Sequence, residues 1–509
     1  MRITGGALLL VCLLAAPVAA EKYDVIWLAV GAEELTAPLA PLAEKRKADG
    51  YVVRIAKPPV EDAIAALGRP PSVLLLVGDY EPGRDEEIWQ LPPLKRPLYK
   101  WRRPQRETFS SDALYGDEDG DLVPDYPVGR IPARTPEQVK LVVEKTLAYE
   151  KAIPTEKDLR ILAWAGAPGY GGAIDTMATG MLVTTVRRFA PAWADRFLVS
   201  GAEGNALCGW PPDQPAVFNA EWKKGGVLAA FVAHASDSAV YSMAHEGKGV
   251  WYGQLEAKAA FATAPPIVAP VVFLTCCSGE FDEADECLAE TLLMLPGGPP
   301  VVIAATTESH PLPNLFTGRA LLKQMAEGGL RIGRIWCEAQ RKAIGMRDFL
   351  MERMLRDVEG KLEDEIDVAK LRRDQALIYA IFGDPATRLR MPIPLEVKLE
   401  AVGDKDGEGA AGGWRYTIPE RHGATKLTVS YRANPAPPKP GAVPPPPRDA
   451  AEAKVRLVQA NLKESYATIR TATKDEDWSG EFPKDRGPGW YRFVATGPGV
   501  FRAAAVEVE

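Results

Sequence analysis

Two apolar runs each deliver a side chain able to take part in nucleophilic chemistry: FVAHASDS places His234 just past one, and VVFLTCCSGEF places Cys276 at the end of the other. A thiol beside an imidazole is the smallest apparatus for covalent acyl transfer, because the imidazole draws the proton from sulfur and later returns one to the leaving group. The pair points to a cysteine hydrolase. Cys277 follows directly, but successive side chains at a strand end face different ways, so only one of the two thiols can meet His234. An orienting partner for the imidazole should be a carboxylate or a backbone carbonyl. Asp175, in the glycine-rich turn GAPGYGGAID, is the candidate; the spacing of that turn fits neither a dinucleotide fingerprint nor a P-loop. His245 and His310 are further candidates to line a cleft, and His422 lies far downstream.

A second constellation is acidic. Asp117, Asp119, Asp121 and Asp125 alternate as carboxylates do in calcium loops, with Gly120 permitting a tight bend, although no distal glutamate stands at EF-hand spacing. A structural Ca2+ bracing this loop is expected, against the alternative of a solvated acidic turn; no cofactor is required for the chemistry.

Positioning such residues calls for a sheet. Runs such as APVVFLT, without polar interruption, read as parallel strands buried on both faces, and sites in open α/β sheets form at the carboxyl ends of such strands. YDVIWLAV, YVVRIAK and SVLLLVGD alternate with helical stretches at 39–48 and 60–67, a β-α-β-α-β order implying right-handed crossovers. After a long polar loop, TPEQVKLVVEKTLAYEK reads as a helix with Thr135 as N-cap and Pro136 at its first position. The alternation then resumes through LRILAWAG, a helix over 173–189, DRFLVS, GVLAAFVA, APVVFLT, a helix over 283–295 and PVVIAAT. Three helical stretches between Leu312 and Ile381 close the unit.

From Leu395 the pattern changes to short alternating runs, VKLEAV, WRYTI, KLTVSYRA, KVRLVQA, YRFVAT and FRAAAVEV, with no helical interval. An all-β sandwich of immunoglobulin-like type is expected there, with the proline-rich stretch 435–447 as a stiff exposed loop.

The start of the chain reads as a signal peptide: Arg2 supplies the charge, Gly5 to Ala16 a short apolar core, and Val18-Ala19-Ala20 the cleavage site. Cys12 falls inside it as apolar filler. A secreted, periplasmic or cell-surface product is therefore expected after cleavage near Ala20, without an integral membrane segment. Five cysteines remain, Cys208, Cys276, Cys277, Cys287 and Cys337, an odd count that leaves at least one thiol unpaired or bound to another chain. A net charge of -7 with no sustained basic cluster argues against nucleic acid as a partner. The expected division is a signal peptide at 1–20, an N-terminal subdomain at 21–134, a catalytic subdomain at 135–392 and the sandwich at 393–509.

Several blocks then occur together and in order: VLLLVGD, LYGDEDGDLVPDYPVGRIPARTPEQVKLVVEKTLAYE, the His and Cys blocks, FDEADECLAETLLMLPGGPPVVIAAT and IFGDPATRLRMP. Over residues 22–392 the chain resembles the gingipain family of secreted cysteine peptidases, which implies a caspase-like fold, a mostly parallel sheet flanked by helices. The family's Gly-His-Gly-Ser corresponds to Ala233-His234-Ala235-Ser236 and its Cys-x-x-Gly-x-Phe to the block from Cys276 to Phe281. The resemblance makes Cys276 the nucleophile, and it gives the backbone N–H groups of Cys276 and Ala235 the task of holding the oxyanion. It also implies protein or peptide substrates and calcium. The family's well-known members carry a long inhibitory prosegment, whereas here the first strand is expected at Tyr23. Alanine in place of both glycines makes the backbone at 233 and 235 a point to inspect. Alternatives on the same fold are an inactive binding or scaffold module of the cell envelope, with an envelope partner on the C-terminal domain, and a thiol transpeptidase or amidase.

Overall fold

The computed structural model describes residues 25–99, 107–169, 172–263, 267–283, 286–349, 353, 367–402, 413–434, 447–482 and 486–508. Residues 1–20, expected to be a signal peptide, the basic loop at 100–106 and nearly all of the proline-rich stretch lie outside the described residues. Strands β1 (Ile26–Gly31), β2 (Val52–Ala56) and β3 (Val73–Val77) alternate with helices α1 (Glu33–Thr36), α2 (Ala40–Ala48) and α3 (Val60–Ala65), as their apolar period predicts. A small hairpin, β4 (Leu94–Pro97) and β5 (Thr108–Ser111), precedes β6 (Val128–Ile131), which returns to the sheet. Helix α4 (Pro136–Lys151) begins where expected: Gln138 N donates to Thr135 Oγ1 at 3.4 Å and Thr135 N to Gln138 Oε1 at 3.1 Å, a reciprocal cap.

The second half runs β7 (Arg160–Ala165), α5 (Gly172–Phe189), β8 (Asp195–Ser200), α6 (Gln214–Trp222), β9 (Leu228–Val232), the hairpin β10 (Ala239–His245) and β11 (Lys248–Gly253), α7 (Gln254–Phe261), β12 (Val271–Leu274), α8 (Leu288–Met294) and β13 (Val302–Ala305). Helices α9 (Pro311–Ala326), α10 (Ile332–Gly345) and α11 (Val368–Leu377) follow, and then β14 (Tyr379–Phe382). One sheet of ten strands takes the order β2-β1-β3-β6-β14-β13-β12-β9-β7-β8. Neighbours are parallel except β13 and β14, which are antiparallel, so two parallel blocks of opposite sense meet at that pair. Among the described residues no helix is long and apolar enough to cross a membrane.

The resemblance blocks are the ties across this sheet. Arg130, in the middle of β6, is fully buried; its Nε and Nη2 donate to Asp112 at 2.7 and 2.6 Å, and its Nη1 donates to the carbonyls of Gly78 and Leu91 at 2.9 and 2.8 Å. A buried guanidinium persists only when its donors are met in this way. At the end of β14, Asp384 accepts from Trp27 Nε1 at 3.1 Å, Ala386 N at 2.9 Å and Arg46 Nε at 2.8 Å, while Arg46 Nη1 also reaches Glu150 Oε2 at 2.9 Å. The last block of the motif set thus clamps β14 to β1 and α2.

The C-terminal region contains a five-stranded sheet and a three-stranded sheet: β15 (Ile393–Pro394), β22 (Val500–Val508), β21 (Gly489–Gly497), β18 (Lys426–Ala433) and β19 (Ala467–Thr473) form one, and β16 (Lys398–Val402), β17 (Gly413–Thr417) and β20 (Ser479–Glu481) the other. Tyr416 from the smaller sheet and Trp478, just before its strand β20, share one core with Leu427, Val429, Tyr491 and Phe493 from the larger. The all-β expectation needs one correction: KVRLVQA is not a strand but part of helix α12 (Ala450–Leu462), opened by Asp449, whose Oδ1 accepts from Glu452 N at 2.9 Å. Its apolar residues recur at helical as well as alternating positions, and the cap decides the outcome. Helix α12 lies along β8, the outermost strand of the large sheet. There Asn461 accepts from Leu198 N at 2.7 Å and donates to Leu198 O at 3.0 Å, so a side-chain amide covers the outer edge of β8 at this residue, while Arg196 N donates to Glu464 O at 3.2 Å and Ser200 N to Leu207 O at 3.0 Å.

Replacing Asp384 by Ala leaves the Nε of a fully buried guanidinium, Trp27 Nε1 and Ala386 N without their acceptor, although Glu150 and Asp49 remain on Arg46 Nη1, and the cost should be about 3 kcal/mol, the low end for breaking one side of a buried ion pair. Urea unfolding should show a lower midpoint with an unchanged slope, and Asp384→Asn should recover part of the loss.

Candidate active site

β9 and β12 are adjacent and parallel, with Val232 opposite Leu274, so both chains leave the sheet level with each other. His234 lies two residues beyond the first and Cys276 two beyond the second, and the equal offset sets the two side chains abreast. A hydrogen bond with the Cys276 side chain is the largest influence on His234 and raises its pKa above the ordinary histidine value. Burial works against that rise, and the Pro168 carbonyl and the charge of Asp175 add to it. The imidazole Nε2 lies 2.8 Å from Pro168 O. A carbonyl oxygen only accepts, so Nε2 carries the hydrogen there and Nδ1 is the nitrogen left to meet sulfur.

The edge therefore reads, from β13 through β12 and β9 to β7, as Ser309, Cys276, His234 and Pro168. Cys276 Sγ lies 3.6 Å from Ser309 O. Ser309 is itself fixed: its hydroxyl donates to Thr275 O at 2.8 Å and accepts from Asn314 Nδ2 at 2.9 Å, while Asn314 Oδ1 accepts from Tyr379 at 2.6 Å and from Gln375 Nε2 at 2.9 Å. This buried set links β12, β14, α9 and α11 behind the sulfur. Satisfied networks of this kind rigidify what they surround.

Cys277 has φ 54°, a left-handed conformation that costs a non-glycine residue about 1–3 kcal/mol, and its N–H donates to Thr307 O at 2.9 Å. The glycine of the Cys block has a steric cause: a Cβ at Gly279 would stand 2.9 Å from Ala304 Cβ and 3.0 Å from Phe382 Cε2. Both loops are then held by α8, whose first free N–H groups act as clamps. Leu288 N donates to Asp237 O at 2.7 Å and Ala289 N to Ser278 O at 3.0 Å. Glu290 closes the same turn by accepting from Cys287 N at 2.8 Å, and burial pushes its carboxyl well above the usual range. At the other end Lys145 donates to the carbonyls of Leu293 and Leu295, and burial pulls its pKa down to about 7.

Ala235 pairs with Val240 in a narrow antiparallel bridge flanked by bonds from Tyr241 N to His234 O and from Ser236 N to Ala239 O, both 2.8 Å. In such a pair the central N–H points away from the partner strand. Among the described residues neither Ala235 N nor Cys276 N has an acceptor. Neither Ala233 nor Ala235 lies in the left-handed region, so alanine fits where the resemblance implies glycine. The glycine falls instead at 166, where a Cβ would stand 2.6 Å from Ala233 Cβ.

Asp175, in the first turn of α5, acts on the ring through its charge, while Pro168 O supplies the contact at Nε2; the turn APG held that carbonyl, but only the fold shows which backbone oxygen faces the imidazole. His310 is sealed in the core rather than in a cleft, its Nδ1 accepting from Leu312 N at 3.0 Å at the start of α9. His245 stands near the tip of the β10–β11 hairpin, edge-on to Trp210 at 5.1 Å. His422 lies beside Glu420 in the C-terminal region. Among the described residues no disulfide joins any of the five cysteines, and burial pushes the Cys208 and Cys337 thiols up to about 12 and Cys287 higher than an ordinary thiol.

Asp117, Asp119 and Asp125 bring carboxylate oxygens within 4.8 Å of one another, and Asp117 Oδ1 is buried without a hydrogen-bond partner. Burial raises the Asp117 pKa. Asp121 stands outside this group and accepts from Val123 N at 2.8 Å.

A sequence model of peptidase family C25 matches residues 20–390. Among solved structures, the chain is similar to the crystal structure of the Arg-specific cysteine proteinase gingipain R (RgpB), with 15% identity and a TM-score of 0.54 over 96% of this chain and 99% of that one. It is also similar to the complex of Porphyromonas gingivalis RgpB pro- and mature domains, with 13% identity and a TM-score of 0.50 over 95% of this chain and 100% of that one. At these identities the likeness is one of fold. No curated protein matches the chain.

Removing the sulfur removes the hydrogen bond that does most to raise the His234 pKa. In Cys276→Ala the imidazole should titrate at lower pH than in the wild type, as followed by NMR of the ring protons; an unchanged titration would separate the two side chains.

Proposed function

Because the chain belongs to peptidase family C25 and is a cysteine-type peptidase acting on protein substrates, we propose that it is a secreted, gingipain-like endopeptidase whose chemistry runs through Cys276 and His234. The observation that carries this reading is the placement of those two side chains two residues beyond neighbouring parallel strand ends, with Val232 opposite Leu274 and the thiol raising the imidazole pKa. The raised imidazole pKa favours the charged ring, so His234 takes the thiol proton as sulfur becomes the nucleophile. Sulfur attacks the peptide carbonyl, and the N–H groups of Cys276 and Ala235 receive the oxyanion; each such donor is typically worth about 3 kcal/mol. His234 gives its proton to the departing amine, which leaves with it, and then takes one from the water that releases the acyl group. Pro168 O holds the ring through both transfers, and Asp175 favours its charged form.

Secretion rests on the signal-peptide pattern at 1–20, with cleavage near Ala20. The two C-terminal sheets around one core are read as an immunoglobulin-like sandwich, the region offered to an envelope partner. Calcium suits the oxygen-only set of Asp117, Asp119 and Asp125, with the buried Asp117 Oδ1 as the group most in need of a cation. The ion would brace the loop and take no part in the chemistry.

Cys276→Ala and His234→Ala should each lower peptide hydrolysis by at least about a thousandfold, with labelling by a thiol-directed acyl probe lost in the first, while Cys277→Ala keeps both. A wild type that neither labels nor cleaves, with calcium and reductant present, would favour the scaffold reading; acyl transfer to an added amine in place of hydrolysis would favour the transpeptidase. Chelation should lower Tm by several degrees and added calcium restore it, and Asp117→Asn should abolish that difference.

A further inference from the structure

The β10–β11 hairpin springs directly from the His234 loop. Within it Val240 and Tyr252 are fully buried, so their neighbours Tyr241 and Trp251, opposite each other in the pairing, face outward. Their rings meet edge to face at 4.9 Å, and Trp251 remains 45% exposed. The indole is folded over Gly249, where a Cβ would stand 3.1 Å from Trp251 Cε2, so the ring is held against its own strand before any ligand arrives. Tyr241 N donates to His234 O at 2.8 Å, and the charge of Asp175 acts on both the Tyr241 phenol and the His234 imidazole. The aromatic pair is therefore tied through the Tyr241 backbone to the loop that carries the imidazole.

Its side of the imidazole is fixed by the sheet. Cys276 and Ser309 lie toward β12 and β13, whereas Tyr241 lies toward β7 and β8: Ala167 N donates to Ser242 O at 2.6 Å. During acyl transfer the acyl half stays on sulfur and the amine half departs past the group that protonates it. From this order we infer that Tyr241 and Trp251 form the subsite for the leaving half of the substrate, and that they take an aromatic or large aliphatic side chain in the first two residues after the cut bond. The inference rests on the catalytic reading above. A rigid, half-exposed aromatic pair contributes contact area with little entropy left to lose, which suits flat apolar side chains.

The test is a set of peptides identical up to the cut bond and carrying Gly, Leu, Phe or Trp at the two positions after it. The wild type should show kcat/KM about tenfold higher for Phe or Trp than for Gly, within the range that apolar pockets discriminate. Trp251→Ala should bring that ratio to about one, and Trp251→Phe should restore most of it, with thermal unfolding confirming that both variants fold. Cleavage of all peptides with no preference, or a preference that survives Trp251→Ala, would overturn this inference and leave the catalytic reading standing. No cleavage of any peptide by the wild type would remove both. A Trp251→Ala variant that changes only the sedimentation behaviour would assign the aromatic face to self-association instead, and would also overturn it.

Discussion

The chemistry depends on β9 and β12 lying side by side, parallel and in step. Because side chains alternate along a strand, a slip of one residue in that pairing would turn either His234 or Cys276 to the opposite face of the sheet. The register is defended from several directions. Both strands are packed into the core, Phe231 stacks on Phe273 at 4.8 Å across the pair, and α8 grips the loop beyond each strand with a separate backbone N–H. Placement of the two groups thus comes from the sheet, and its precision from the short helix above it.

Placement alone would leave the sulfur free to rotate. Ser309 O and the buried set of Asn314, Gln375 and Tyr379 behind it fix one side of Cys276, and the Cys277 N–H, held by Thr307 O at 2.9 Å, fixes the backbone that follows it. The imidazole has one anchor, the Pro168 carbonyl, and a more distant carboxylate. A rigid nucleophile facing a base held at a single point suits a cycle in which only the proton has to move, first from sulfur and later to nitrogen.

Much of this is legible in the sequence where physics is local. The apolar runs mark β7, β8, β9, β12 and β13, though not the β10–β11 hairpin, the Thr135 cap marks the start of α4, and His234 and Cys276 stand out by chemistry and position. β6 and β14 escape such a reading: VGRI carries a buried arginine that makes it look exposed, and YAIF follows directly on helix α11, so its apolar residues continue the helical pattern. Arg130 is inside only because Asp112 and two carbonyls, brought from elsewhere in the chain, meet its donors. Pro168, Ser309 and the Tyr241–Trp251 pair escape for the same reason: their roles come from backbone atoms or neighbours that only the folded sheet brings together. KVRLVQA misleads because seven residues fit both periods and the deciding cap stands five residues upstream of Lys454, at Asp449.

The amide of Asn461 acts as a forged neighbour, one residue impersonating an eleventh strand at the rim of the large sheet. Without the segment that carries it, which also brings the Glu464 carbonyl to Arg196 N at 3.2 Å, β8 would present these backbone groups to any passing extended chain, including the peptides this family cuts and other copies of itself. The C-terminal region therefore does more than follow the catalytic part along the chain: it supplies the stopper that keeps a hydrolase from being captured by its own diet. An excised catalytic half would lose its quaternary discretion before it lost its chemistry.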